Sequence, residues 1–143
     1  MIYKFSEKSN KAIDSAHPDF RIWCDELIKF IDCSAIQGYR TESQHLQYLK
    51  NGTTTIKYKN SKHSKIPSIA LDLVPYQKRA IWGETEIERL DMVFFAGFAK
   101  SIAIRLKNEG KMQHSVKWGG DWNGNNTISD TKTIDFPHWE LIA

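Results

Sequence analysis

The residues best suited to chemistry lie in two stretches far apart in the chain. In the first, Lys62-His63-Ser64-Lys65-Ile66-Pro67-Ser68 leads into the apolar run Ile69-Ala70-Leu71-Asp72-Leu73-Val74, placing a carboxylate nine residues after a histidine. The run predicts a buried or half-buried strand ended by Pro75. A carboxylate in such a place is costly unless a partner or a metal neutralises it. In the second stretch, Asp135-Phe136-Pro137-His138-Trp139-Glu140-Leu141, a histidine stands beside two more acids. Two histidines and one aspartate, with a spare acid nearby, have the composition of an open zinc site, in which three protein ligands leave a fourth position for water. Zinc brings the pKa of bound water to about 7 and polarises a carbonyl, and a carboxylate within reach can move the proton. That is peptidase chemistry, and it needs no covalent intermediate.

Positioning these groups falls to the elements around them. Ser6 or Ser9 caps a first short helix that turns Ile13 and Ala16 inward and stops near Pro18. From Asp19 to about Asp32, Phe20, Trp23, Leu27 and Ile31 recur at spacings of three and four, which predicts an amphipathic helix on a core. Ser34 to Arg40 reads as a short strand running into a loop, with Gly38 permitting an unusual backbone turn. A helix follows over 41–50, with Thr41 as cap, Gln44 in the capping-box position, Leu46 and Leu49 inward, and Asn51-Gly52 as its stop. A polar loop over 53–62 delivers His63. The longest helical pattern, Glu84 to Lys107, carries Ile87, Leu90, Phe94, Phe98, Ile102 and Leu106, widened by Met92, Phe95 and Ile104, and predicts a central, well-buried helix. Val116 to Trp122 and Ile134 to Ile142 read as strands on either side of an Asn/Gly/Asp/Thr-rich loop. Helices first and hairpin-like strands after them predict an α+β fold with a small antiparallel sheet, in one domain spanning 1–143.

Composition sets the limits. A chain of 143 residues is long enough for one domain with a real core. The net charge of +3 is compatible with an anionic partner, but no dense Lys/Arg cluster interleaves with aromatics, so nucleic acid is not expected. Met1 to Ser6 holds no long apolar segment, and no run of about 18 apolar residues occurs anywhere. Neither a signal peptide nor a membrane span is expected, and the chain is expected to start in a cytoplasm. Cys24 and Cys33, if on one helix, would lie on opposite sides of it, so reduced, packed thiols are expected. His17 reads as a local hydrogen-bonding residue beside Pro18, and His45 and His114 as structural or exposed. Trp118, Trp122 and Trp139 read as core or cleft-wall aromatics, and Asp121 as the anchor of a glycine turn. The loop from Asp121 to Asp130 has amide and carboxylate oxygens, but its two acids make a weak case for calcium.

Four segments in order carry a resemblance: Gly38-Tyr39-Arg40 with Gln44, Ser61-Lys62-His63 with Ala70-Leu71-Asp72, Trp118-Gly119-Gly120-Asp121-Trp122, and Asp135-Phe136-Pro137-His138. Together they resemble the zinc D-Ala-D-Ala/L-Ala-D-Glu peptidases, above all the small phage L-alanyl-D-glutamate endolysins, over nearly the whole chain from Phe5 to Leu141. The resemblance implies His63, Asp72 and His138 as zinc ligands, Asp135 as the catalytic acid/base, and Arg40 as the group that binds or polarises the substrate carbonyl. It implies a zinc site in a cleft and no separate wall-binding domain. Two features depart from the commoner family form. The step from His63 to Asp72 is longer and lacks a glycine, and the acid/base position holds aspartate where glutamate is frequent. Glu140 is the competitor for the base, with a supporting hydrogen bond to a ligand histidine as its other role.

The expected function is hydrolysis of the L-alanyl-D-glutamate bond in peptidoglycan stem peptides by a monomeric phage lysis enzyme. It would leave the host cytoplasm through a separate holin-type pore and act on the wall from the periplasm. A D-Ala-D-Ala carboxypeptidase or dipeptidase on the same scaffold is the alternative enzyme. A zinc-stabilised wall-binding module without turnover is the alternative of a different class.

Overall fold

In the computed structural model, which describes residues 2–143, each α-helix begins at a side chain that satisfies a free backbone N–H. Ser6 caps α1 (Glu7–Asp14), and His17 caps α2 (Pro18–Leu27) by accepting from the Asp19 N–H. Thr41 and Gln44 form a reciprocal capping box at the start of α3 (Glu42–Lys50). Thr85 caps α4 (Glu86–Asn108). Four strands, β1 (Cys33–Gln37), β2 (Ala70–Pro75), β3 (Ser115–Trp118) and β4 (His138–Ile142), form one antiparallel sheet in the order β1-β2-β4-β3. The α+β architecture expected from the chain is therefore present.

Strand alternation gives the sheet two unlike faces. Leu71, Leu73, Trp139 and Leu141 join one core with Phe20, Trp23, Phe95 and Ala99 from α2 and α4. The indole of Trp23 donates to the Ala99 carbonyl (2.7 Å) and meets Trp139 edge-on, which ties α2, α4 and β4 together. The intervening residues Asp72, His138 and Glu140 face the other way. In register, Asp72 stands opposite His138, and Ala70 opposite Glu140.

Four local expectations are corrected. Helix α2 ends at Leu27, not near Asp32, because the N–H groups of Lys29 and Phe30 turn back to the Glu26 and Leu27 carbonyls and the chain then enters β1. Cys33 is consequently in a strand, and both cysteines are buried free thiols. On α3 the inward residue is His45, fully buried, whereas Leu46 is 55% exposed, since this helix packs over polar groups and not on the apolar core. On α4 much of the expected stripe faces outward, with Ile87, Leu90 and Phe94 exposed. Its buried face uses Met92, Phe95, Ala96, Ala99, Ile102, Ala103 and Leu106, and the alanines let the helix approach the sheet closely. Gly38 has no left-handed backbone; a Cβ there would run into the Ala12 carbonyl and the Ser15 hydroxyl, so close approach is what requires it.

Candidate active site

Strands β2 and β4 present Asp72 and His138 side by side because the two are a cross-strand pair. His63 arrives from outside the sheet on a short 3₁₀ turn, Lys62–Ser64, whose start is capped by Ser61. The long step to Asp72 is absorbed by an outward loop in which Ile66 is 82% exposed. Its ends close where the Ile69 N–H donates to the Lys62 carbonyl (3.3 Å). The Arg40 N–H donates to the His63 carbonyl (2.9 Å), so the segment after β1 is fastened to the same turn.

Hydrogen bonds settle which nitrogen of each histidine is free. The Gly38 carbonyl can only accept, so His63 Nδ1 carries the proton (2.7 Å) and Nε2 holds a lone pair. That Nε2 is buried without a hydrogen-bond partner, 3.3 Å from Asp72 Oδ1. His138 Nε2 donates to Glu140 Oε2 (3.0 Å), which leaves Nδ1 facing the same Asp72 oxygen at 3.7 Å. Two imidazole lone pairs thus converge on a carboxylate oxygen, an arrangement that repels unless a cation or a proton stands among them. Together the three residues form a group able to hold a metal ion. Each histidine is backed by an acceptor on its other nitrogen, Gly38 or Glu140, as metal-bound histidines commonly are.

The electrostatics of the metal-free site follow. Burial by itself would raise the Asp72 carboxyl, but the His138 and His63 rings beside it outweigh burial and hold it well below the carboxylate range. Burial would lower His138, yet Asp72 and Glu140 raise it to about 9. Asp135 lines the same cleft, and desolvation followed by the charge of Asp72 pushes its carboxyl up. Its backbone is held in place by a hydrogen bond to the Gly119 carbonyl (2.8 Å), at a contact so close that a Cβ on Gly119 would overlap the Asp135 carbonyl. The cleft, of about 740 Å³, is also lined by Arg40, Lys62, Trp82 and Trp122. Trp122 lies beside the His138 ring (centroids 5.4 Å apart), whereas Trp118 and Trp139 belong to the core.

A family model for phage L-alanyl-D-glutamate peptidases matches residues 1–142. The chain belongs to that family. It is 28% identical over 148 residues to the L-alanyl-D-glutamate peptidase of Escherichia phage T5, an alignment covering 99% of this chain and all of that protein. Its fold is similar to the crystal structure of the Serratia marcescens L-Ala D-Glu endopeptidase ChiX, with a TM-score of 0.68 and 18% identity over 99% of this chain and 90% of the other.

All five residues singled out in the sequence of this peptidase (Arg40, His63, Asp72, Asp135 and His138) line the one cleft. Sequence reasoning passed over the cradle of Arg40. Its Nε donates to Gln37 Oε1 (2.8 Å), its Nη1 lies 3.2 Å from His45 Nδ1, and its guanidinium carbon sits 4.6 Å from the centre of the Tyr48 ring. No local pattern marks Gln37 or Tyr48; the misassigned inward face of α3 is what hid His45. A second group of metal-ligand type, His17, Asp19 and His114, lies elsewhere. There a single oxygen, Asp19 Oδ2, takes the N–H groups of Gln113 and His114 and the His114 ring at 2.8–3.0 Å, and so fastens the entry of β3 to α2.

Proposed function

We propose that this peptidase is a zinc-dependent peptidoglycan endopeptidase that hydrolyses the L-alanyl-D-glutamate bond of stem peptides. The carrying observation is the convergence of His63 Nε2 and His138 Nδ1 on Asp72 Oδ1, with the buried Nε2 otherwise unpartnered. Two neutral nitrogens and one carboxylate are a donor set that suits zinc and leaves a position open to the cleft. A zinc ion held there supplies a Lewis acid and a water acidified to near neutral pH.

The remaining chemistry belongs to the chain. Asp135 accepts the proton of the attacking water and returns it to the departing D-glutamate amine. In the metal-free site, desolvation and then the neighbouring Asp72 charge disfavour its carboxylate. Arg40 faces the cleft with an Nη2 amino group that has no hydrogen-bond partner among the described residues, and it stabilises charge developing on the scissile carbonyl oxygen. Glu140 holds the His138 ring so that Nδ1 points inward. In the proposed biological setting the enzyme is monomeric and passes from the host cytoplasm through a holin-type pore to lyse the cell. Among the described residues no helix is long and apolar enough to cross a membrane.

The test is a digest of purified Gram-negative peptidoglycan by the zinc-loaded protein, read by mass spectrometry beside Asp135→Asn. A new free amine on D-glutamate is expected from the wild type, with turnover by the variant reduced by about 10²-fold or more at unchanged zinc content. Release of a terminal D-alanine alone would reassign the enzyme as a carboxypeptidase. Zinc binding with no product would leave a binding module.

A further inference from the structure

Among the described residues, His45 is the one fully buried titratable side chain near the cleft that the mechanism leaves unused. Its ring is held between two groups of opposite hydrogen-bonding character. On one side the Ile56 carbonyl lies 2.5 Å from Nε2 and can only accept, so Nε2 carries the proton. On the other side Arg40 Nη1, which can only donate, lies 3.2 Å from Nδ1, so Nδ1 holds the lone pair. Both partners demand the same neutral tautomer. Tyr58 closes over the ring (centroids 5.7 Å apart), and Ile56 belongs to the loop that runs on to His63.

We propose that His45 is a positioning residue for catalysis: it fixes the Arg40 guanidinium so that Nη2 is aimed into the cleft, and it registers Arg40 against the loop that delivers His63. The inference rests on the carbonyl-binding role given to Arg40 above. Arginine carries several free torsions, and a guanidinium restrained only by Gln37 at Nε and by the Tyr48 face could still swing about its terminal bonds. A third restraint at Nη1 removes that freedom before substrate arrives, and a charge-stabilising group acts through such preorganisation. Because an acceptor, not a charge, is what Arg40 needs at this place, an uncharged side chain with an oxygen at the Nδ1 position should substitute.

The experiment compares His45→Leu, His45→Asn, Arg40→Ala and the double variant His45→Leu/Arg40→Ala as zinc-loaded proteins on a soluble stem-peptide fragment. His45→Leu is expected to lower kcat by about 10²-fold, the scale of a 1 Å misplacement, with KM and bound zinc nearly unchanged. His45→Asn, whose side-chain oxygen can sit where Nδ1 sits, should recover most of that loss. In the Arg40→Ala background His45→Leu should add no further loss, since it acts through Arg40. Nitrogen-15 NMR of the wild type should find His45 protonated at Nε2 and bare at Nδ1, a readout that survives even if the leucine variant does not fold. The opposite tautomer, or an imidazolium, overturns the inference. A deep loss in Arg40→Ala beside full turnover in His45→Leu overturns the His45 role alone. Full turnover by Arg40→Ala overturns the Arg40 role and, with it, that of His45.

Discussion

Glu140 and Asp135 are both acids within three residues of His138, and the fold gives them different work. Glu140 lies two residues after His138 on the same strand face and spends an oxygen on the His138 Nε2–H. Hydrogen bonding to His138 lowers its carboxyl, with burial opposing, so it remains an anion behind the ring. Asp135 precedes the strand and projects from a turn, where no hydrogen bond from His138 claims its carboxylate. One acid therefore orients the His138 ring, the proposed ligand, and the other is free to carry a proton. Replacing Glu140 by Gln removes the charge but keeps an oxygen acceptor for the His138 ring. Zinc affinity is expected to fall by about 10–100-fold, measured by competition with a chromophoric chelator. Affinity equal to wild type would mean that Glu140 does not tune the ligand.

At the scale of elements, two glycines that look alike in sequence should respond in opposite ways to the same substitution. Gly97 lies inside α4 on its exposed side, with open space where a Cβ would go. Gly97→Ala should stabilise the protein by about 0.5–1 kcal/mol through the unfolded chain, with activity unchanged. Gly119 is pressed against the Asp135 backbone, and Gly119→Ala should cost about 1–3 kcal/mol and displace Asp135. Thermal melts and turnover of the two variants check this; a Gly119→Ala protein with normal turnover would detach Asp135 from the chemistry. The same contrast explains what was legible beforehand. The Thr41 capping box, strand alternation and the two short segments that carry His63, Asp72, Asp135 and His138 are each local, and they were readable, whereas the His17 and Thr85 caps were not. The outward stripe of α4 was not, because Ile87, Leu90 and Phe94 have the same spacing as a core face, and the true core face relies on alanines that hydrophobicity alone undervalues. Arg40 was readable as a candidate, but its cradle is assembled from β1, α3 and a loop, and no spacing within one segment encodes that.

For the whole molecule, the proposed metal site joins three parts of the chain: the turn holding His63, β2 and β4. Without metal, the Asp72–His138 pair is itself a stabilising contact with a defined pH window. The His138 pKa is raised to about 9 in the folded state, so its contribution is complete below its ordinary value of 6.5 and is lost as pH rises through about 9. Asp72 is depressed, so its contribution is present above its ordinary value of 3.8 and is lost as pH falls toward its depressed folded value. In the proposed site zinc displaces the proton from His138, and below about pH 9 that displacement makes affinity rise about tenfold per pH unit. Between pH 6 and 8 this amounts to about 100-fold, or roughly 2.7 kcal/mol of added stabilisation at a fixed excess of zinc. Melting curves of the protein with zinc and with a chelator, at pH 6, 7 and 8, should therefore separate progressively, by several degrees more at pH 8 than at pH 6. A zinc-dependent increment that stays flat across that range would show that the metal does not compete with the His138 proton, and His138 would then lose its place in the ligand set.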